Sequence, residues 1–219
     1  MIIADLHIHT KYSQDSLLEP KTIIKIAERR GLNVIAITDH NTIRGALATL
    51  NAASKQNSLV IIPGVEMRIL NHDIICLFTT EQPKRINNYA EFLDHARELN
   101  AVTILAHPFR KRKPLPPDLI EGVDLIEAFN ARTPHEANIK AKALAHRFHK
   151  PETAGSDAHL SVEIGRARII FPQESEDPEE LRNVLLHGKR MIIGKESPVA
   201  VHIPTMAIEI CKKFVKHIA

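Results

Sequence analysis

Met1-Ile2-Ile3-Ala4-Asp5-Leu6-His7-Ile8-His9-Thr10 is a short apolar run that breaks into two histidines spaced i and i+2. On an extended strand successive side chains point to opposite faces, so His7 and His9 share a face and can present two imidazoles to one metal ion. Taken alone, such a pair is more often a half-buried feature of a strand, and the rest of the chain has to decide.

Outward from this stretch, short β-branched runs alternate with helical patterns. Strands are expected at Ile2 to Asp5, Asn33 to Thr38, Leu59 to Val65, Ile74 to Phe78, Ala101 to Leu105, Val123 to Ala128, Glu152 to Gly155 and Ala167 to Phe171. Helices are expected at Pro20 to Arg30, Thr42 to Lys55, Ile86 to Asn100, Pro134 to His149 and Pro178 to His187, several opened by a proline or a Thr/Asp cap. This alternation predicts a mostly parallel sheet, open or closed into a barrel, and Pro108 to Pro117 reads as one long loop. The 219 residues fit a single α/β domain. Residues 204–218 form a C-terminal helical pattern whose Met206, Ile210, Phe214 and Ile218 recur at four-residue spacing, as expected for a helix packed on the barrel, or for a dimer contact.

Composition narrows the function classes. Hydrophobic residues make up 44% and charged residues 25%, with no Trp and 4% aromatics, so Ile, Leu, Val and Ala must build the core and stacking platforms for single-stranded nucleic acid are thin. A net charge of +3 tolerates an anionic substrate without requiring a polyanion. Cys76 and Cys211 are too scattered for a disulfide framework or a thiolate metal site. No apolar run approaches the length of a membrane span, and the expected location is cytoplasmic.

The metal-competent residues fall at the ends of the expected strands. Asp5, His7 and His9 follow the first; Asp39 and His40 the second; Glu66 the third; His107 follows Val102 to Leu105; Asp157 and His159 follow Glu152 to Gly155. In a βα barrel the C-terminal strand ends converge on one face, where barrel enzymes place their chemistry. Any one cluster has a bland explanation, such as Asp39 capping a helix, but the set together points to a site for several metal ions.

The motifs Asp5-Leu-His7-Ile-His9-Thr10, Thr38-Asp39-His40-Asn41, Gly64-Val65-Glu66, His107-Pro108 and Gly155-Ser156-Asp157-Ala158-His159 resemble, in combination, those of the PHP (polymerase and histidinol phosphatase) family of metal-dependent phosphoesterases. The resemblance runs from Asp5 to about Phe171. It implies a distorted (β/α)7 TIM-like barrel holding two or three divalent ions, typically zinc, manganese or iron. Carried over by motif, the ligands are His7, His9, Asp15, His40, Glu66, His72, His107, Asp157 and His159, with Asp73 beside His72 able to substitute for it. It also implies that Asp5 supports the histidines from behind by accepting an imidazole N–H. Asp39 does the same or caps the helix near Thr42. The short span between His72 and His107 leaves no room for the long insertion that nucleotide-cleaving members often carry.

Imidazoles mixed with carboxylates suit zinc, manganese and iron, whereas an all-oxygen set would suit magnesium or calcium. Such a set fits hydrolysis of a phosphate ester by metal-activated water, with Asp157, His159 or His9 assisting proton transfer. Arg110, Arg132, Arg166 and Arg168 are the candidates for binding substrate phosphate, because guanidinium groups grip phosphate oxygens bidentately. Arg110-Lys111-Arg112-Lys113 could touch a polyanion, so a small phosphorylated substrate is expected with nucleic acid as a second possibility. Glu127 and Asn130 end a strand at the same rim, with no role assigned. Two other readings remain: a non-catalytic PHP-like scaffold or nucleic-acid-binding subunit, and an amidohydrolase-like C–N hydrolase, which also opens with His-x-His on a barrel strand. The first is disfavoured by the near-complete ligand set. The second is disfavoured by the lack of a strand-end lysine that could bridge metals as a carbamate.

Overall fold

Leu70 and Asn71 alone join the strands β3 (Val60–Ile69) and β4 (His72–Leu77), and a two-residue connection forces them to run antiparallel. Leu70 takes up the turn with φ +48°. This hairpin is the first departure from a uniform βα repeat. The computed structural model describes residues 1–53, 59–111 and 113–218, without the side chains of residues 215–218. Lys55 of the second expected helix, Arg112 of the basic run and the side chain of Ile218 lie outside the described residues.

The remaining elements are β1 (Ile2–Ile8), α1 (Pro20–Arg29), β2 (Val34–Ile37), α2 (Arg44–Ala52), α3 (Tyr89–Glu98), β5 (Val102–Leu105), α4 (Pro117–Gly122), β6 (Leu125–Asn130), α5 (His135–Arg147), β7 (Glu152–Gly155), β8 (Ala167–Phe171), α6 (Pro178–His187), β9 (Met191–Gly194) and α7 (His202–Ile218). They form a nearly closed, barrel-like sheet of nine strands ordered β7-β6-β5-β4-β3-β2-β1-β8-β9. Pairs β1–β2, β2–β3, β5–β6 and β6–β7 are parallel, whereas β4 is antiparallel to both neighbours, β8 to β1, and β9 to β8. The expected (β/α)7 repeat is not kept: a hairpin replaces the crossover at β3–β4, and β8 and β9, though joined through α6, run antiparallel. Between β7 and β1 the gap is bridged just past the strand ends, where His9 N–H donates to the Ala158 carbonyl at 3.0 Å. No helix among the described residues is long and apolar enough to cross a membrane.

Alternation along the strands splits the core into two layers. Ile2, Ala4, Leu6, Val34, Ala36, Ile62, Ile75, Leu77 and Ile104 form the inner layer, capped by Leu181 and Leu185 of α6. Ile35, Ile37, Val65, Met67, Ile74 and Cys76 face the outer helices, against Ile23 of α1, Ala46 of α2 and Phe92 of α3. β1 obeys this rule only to Leu6. Ile8 lies in the outer layer with Ile35 and Ile37, and the pairing of β1 with β2 shifts register between Asp5 and Ile8. That irregularity flips the parity of the strand end, so His7 and His9 turn to the inner side, as bulges beside active sites commonly re-aim side chains.

The helix α7 presents the opposite face from the one its pattern suggests. Met206, Ile210 and Phe214 are 61%, 52% and 67% exposed, while Thr205 is buried. Polar anchors to the loops below, rather than the apolar stripe, set its orientation; four-residue spacing marks a helix face but not which way it turns.

Phe92 is fully buried in the outer layer. Phe92→Ala should lower the unfolding free energy by about 3–5 kcal/mol, the usual cost of an emptied aromatic core position, read from urea denaturation.

Candidate metal centre

Glu66 is fully buried, and its two oxygens face four imidazoles. Oε2 lies 2.9 Å from His40 Nδ1, 3.3 Å from His7 Nε2 and 3.4 Å from His9 Nε2; Oε1 lies 2.9 Å from His107 Nε2. On one side Asp157 Oδ1 lies 3.0 Å from His9 Nε2 and 3.6 Å from His7 Nε2. On the other, Asp15 Oδ2 lies 3.0 Å from His159 Nε2 and 3.3 Å from His40 Nε2. The residues come from β1, the end of β2, the middle of β3, and the segments after β5 and β7. His107 and Asp157 both sit at positive φ, +29° and +53°, a left-handed kink straight after a strand that turns the side chain over the barrel mouth.

Carboxylates and amides behind the imidazoles fix them. Glu127 Oε1 lies 2.9 Å from His7 Nδ1, and its Oε2 accepts the His107 backbone N–H at 2.8 Å and the Asn130 amide at 3.0 Å. His159 Nδ1 is 2.8 Å from the Asp157 carbonyl, and Glu163 Oε2 accepts the backbone N–H groups of His159 and Leu160 at 3.1 and 3.0 Å. With the Nδ1 atoms of His7 and His159 engaged, their Nε2 atoms turn to the centre. Asp5 departs from the role implied above: it touches no imidazole but accepts the backbone N–H groups of Ser156 at 2.9 Å, Gly165 at 2.7 Å and His7 at 3.4 Å. Asp39 likewise accepts the backbone N–H and hydroxyl of Thr10, each at 2.6 Å. Burial pushes both carboxyls up to about 6 despite these donors.

Charge is strongly coupled at the centre. Burial alone would lower His7, yet Asp157, Glu127 and Glu66 hold it well above its ordinary value. His40 behaves the same way, burial being overridden by Glu66 and Asp15. Burial and the neighbouring His159 and His40 push His9 down to about 3. Burial would raise Asp157, but Arg110 and His7 hold it well below the carboxylate range.

His9 Nε2, His159 Nε2 and Asp15 Oδ1 are buried and make no hydrogen bond. Unpartnered buried polar atoms of this kind call for an ion or water. Among the described residues, four overlapping groups bring their ligand atoms within 4.8 Å of one another: His9, His40 and His159; His7, His9 and Glu66; His7, His107 and Asp157; and Glu66, Asp73 and His107. The mixed imidazole and carboxylate set suits a divalent metal ion.

Of the expected ligands, His72 lines the same cavity with a buried Nε2 that makes no hydrogen bond, but it stands outside the donor groups gathered around Glu66. On β4 it shares the outer face with Ile74 and Cys76, and its Nδ1 lies 2.6 Å from the Tyr89 hydroxyl. Asp73 is on the inner face, two positions from Ile75, which pairs directly with Glu66. Strand parity, applied to the alternative already visible in the sequence, separates the two residues. Among the arginines, Arg110 reaches the centre: its guanidinium contacts Asp157 and donates to Asn130 at 2.7 Å and Thr133 at 3.2 Å. Arg132 is spent on Glu163 at 2.8 Å and on Thr205 of α7 at 3.2 Å. Arg166 donates to the Glu196 carbonyl, and Arg168 to the Gly165 and Arg30 carbonyls, away from the cavity. The cavity, about 260 Å³, opens between Asp15, His40, Asp73 and His107, with Arg68, Lys111 and Lys113 on its rim. Glu163 was not foreseeable: its neighbours Val162 and Ile164 carry no motif, and its partners come only from the folded turn.

Residues 5–109 match the PHP domain and residues 135–189 match the PHP-associated domain. An uncharacterized protein of Methanocaldococcus jannaschii is 36% identical over 140 residues, covering 58% of this chain and 81% of its own. The 5'-3' exoribonuclease Rnm of Salmonella typhimurium is 40% identical over 76 residues, 33% of this chain and 26% of that protein. Among solved structures, a two-domain protein of Bacteroides vulgatus containing a predicted PHP-like metal-dependent phosphoesterase superposes with a TM-score of 0.76 at 17% identity, covering 94% of this chain and 69% of that one.

A Cβ at Gly155 would overlap that of His7 and come 2.8 Å from Glu127 Oε1. Gly155→Ala should therefore cost about 1–3 kcal/mol of stability in thermal unfolding, the scale of overpacking, and displace His7 from Glu127.

Proposed function

Because the chain belongs to the PHP family, we propose that it is a metal-dependent phosphoesterase that hydrolyses a phosphate ester with activated water. The observation that carries this reading is the Glu66 carboxylate set among four imidazoles, two of which, His40 and His107, line a cavity together with Arg68, Arg110, Lys111 and Lys113. His7, His9, Asp15, His40, Glu66, His107, Asp157 and His159 would hold two or three divalent ions, with Asp73 in the place first assigned to His72. Zinc, manganese or iron bound by these donors would supply Lewis acidity to the phosphoryl oxygens and lower the pKa of the attacking water.

The chain's own side chains divide the remaining work. Arg110 holds Asp157 ionised and keeps guanidinium N–H groups beside the centre, where a phosphoryl oxygen can be gripped. Arg68, Lys111 and Lys113 draw an anionic substrate to the mouth, and the size of the cavity favours a small phosphorylated molecule. His9, Asp157 and His159 lie together beside the centre, and whichever of them keeps an atom not held by an ion can move the proton. Glu127 holds the His7 ring and Glu163 the turn bearing His159, so neither need touch substrate.

Asp157→Asn and His9→Ala should each reduce manganese- or zinc-dependent hydrolysis of a chromogenic phosphomonoester or phosphodiester by about 10²–10⁴-fold while the far-ultraviolet circular dichroism stays that of the parent. Full turnover by chelator-stripped protein would sink the proposal. For the disputed ligand, Asp73→Asn should weaken metal uptake by at least about tenfold in equilibrium dialysis, whereas His72→Gln should leave it within about twofold.

A further inference from the structure

α7 is fastened to the candidate metal centre at two points. Near its start, Arg132 donates to the Val201 carbonyl at 3.3 Å and the Thr205 hydroxyl at 3.2 Å, and the same guanidinium meets Glu163, which holds the backbone of His159. Further along, Lys212 Nζ donates to three backbone carbonyls, those of Lys11, Ser13 and Ser16, each at 2.7 Å. Those carbonyls belong to the loop between β1 and α1 that carries Asp15.

This loop has its own ties to the imidazoles. Ser16 Oγ donates to the His9 and His159 carbonyls at 3.1 Å each, and Ser13 Oγ accepts the His40 backbone N–H at 3.1 Å. Its backbone lacks a strand or helix ladder at residues 11–16, so the converging carbonyls need a donor from elsewhere. An ammonium has three N–H groups and matches three carbonyls one for one. Glu209, one turn earlier on α7, lines the cavity itself, so the helix also walls the site.

We infer that Lys212 is a positioning residue: by clamping the loop at residues 11–16 it sets Asp15 against His40 and His159, and it thereby couples docking of α7 to binding of the cation that those three residues share. The inference rests on the proposed metal-binding function. Linkage makes the coupling reciprocal, so cation binding must tighten α7 as much as α7 tightens the cation.

The test compares the full-length parent with Lys212→Met, Lys212→Arg and Lys213→Met, using manganese titration by calorimetry and hydrogen exchange with and without the ion. Lys213 pairs with Glu209 at 2.6 Å on the same helix and controls for loss of a charge there. In Lys212→Met, one class of site should weaken by about tenfold, exchange at residues 11–16 should quicken in the metal-free protein, and the protection that manganese confers on α7 should be lost. Lys212→Arg should recover part of each effect, and Lys213→Met should match the parent. Equal affinities and equal α7 protection in the parent and Lys212→Met would overturn the clamp while leaving the metal centre standing. A parent protein that takes up no manganese, zinc or iron would overturn the functional reading and the clamp with it.

Discussion

A carboxylate sealed from water among four imidazoles is the constraint around which this fold is arranged. An isolated buried charge is too costly to keep, so Glu66 exists in this place only because His7, His9, His40 and His107 are brought to it from three other strands. Meeting that demand explains features that would otherwise look irregular. The register of β1 shifts between Asp5 and Ile8, β3 runs past its parallel partner to carry Glu66 upward, and His107 and Asp157 accept left-handed backbone.

Behind the imidazoles stands a further set of carboxylates, and their jobs differ. Glu127 fixes a ring, whereas Asp5, Asp39 and Glu163 fix backbone: the Ser156 and Gly165 amides, the Thr10 turn, and the start of the turn after His159. A ligand whose main chain is pinned loses little further freedom on binding, which is the physical value of spending buried acids on amides. Space for these acids is made by absent side chains. Gly45 leaves room for the Asp39 carboxylate and Gly155 for His7 and Glu127.

Around the mouth, charge is apportioned by reach rather than by count. Arg110 is drawn in by Asp157, while Arg132 turns outward to join α7 to Glu163, and Arg166 and Arg168 serve carbonyls elsewhere. The helix at the C-terminal end of the chain thus belongs to the architecture of the site, through Arg132 and Lys212, although its apolar stripe of Met206, Ile210 and Phe214 faces outward.

The sequence by itself determined which metal-competent side chains gather at one end of the sheet. His-x-His after an apolar run, Asp39-His40 and Glu66 at the next two strand ends, and Asp157-x-His159 after another could be read as one convergent set because strand ends of an α/β barrel meet on one face. Most element positions were legible for the same reason: their periodicities are local. What only the tertiary structure decided depends on contacts between distant segments. The antiparallel directions of β4 and β8 are set by a hairpin and by pairing with β1, although their apolar runs look like those of parallel strands, and β9 lies outside the expected strands. Asp73 rather than His72 faces Glu66 because register with β3 sets the parity of β4. Which arginine reaches the centre, and which face α7 turns inward, are settled by pairings up to 201 residues apart, beyond the range of any spacing rule.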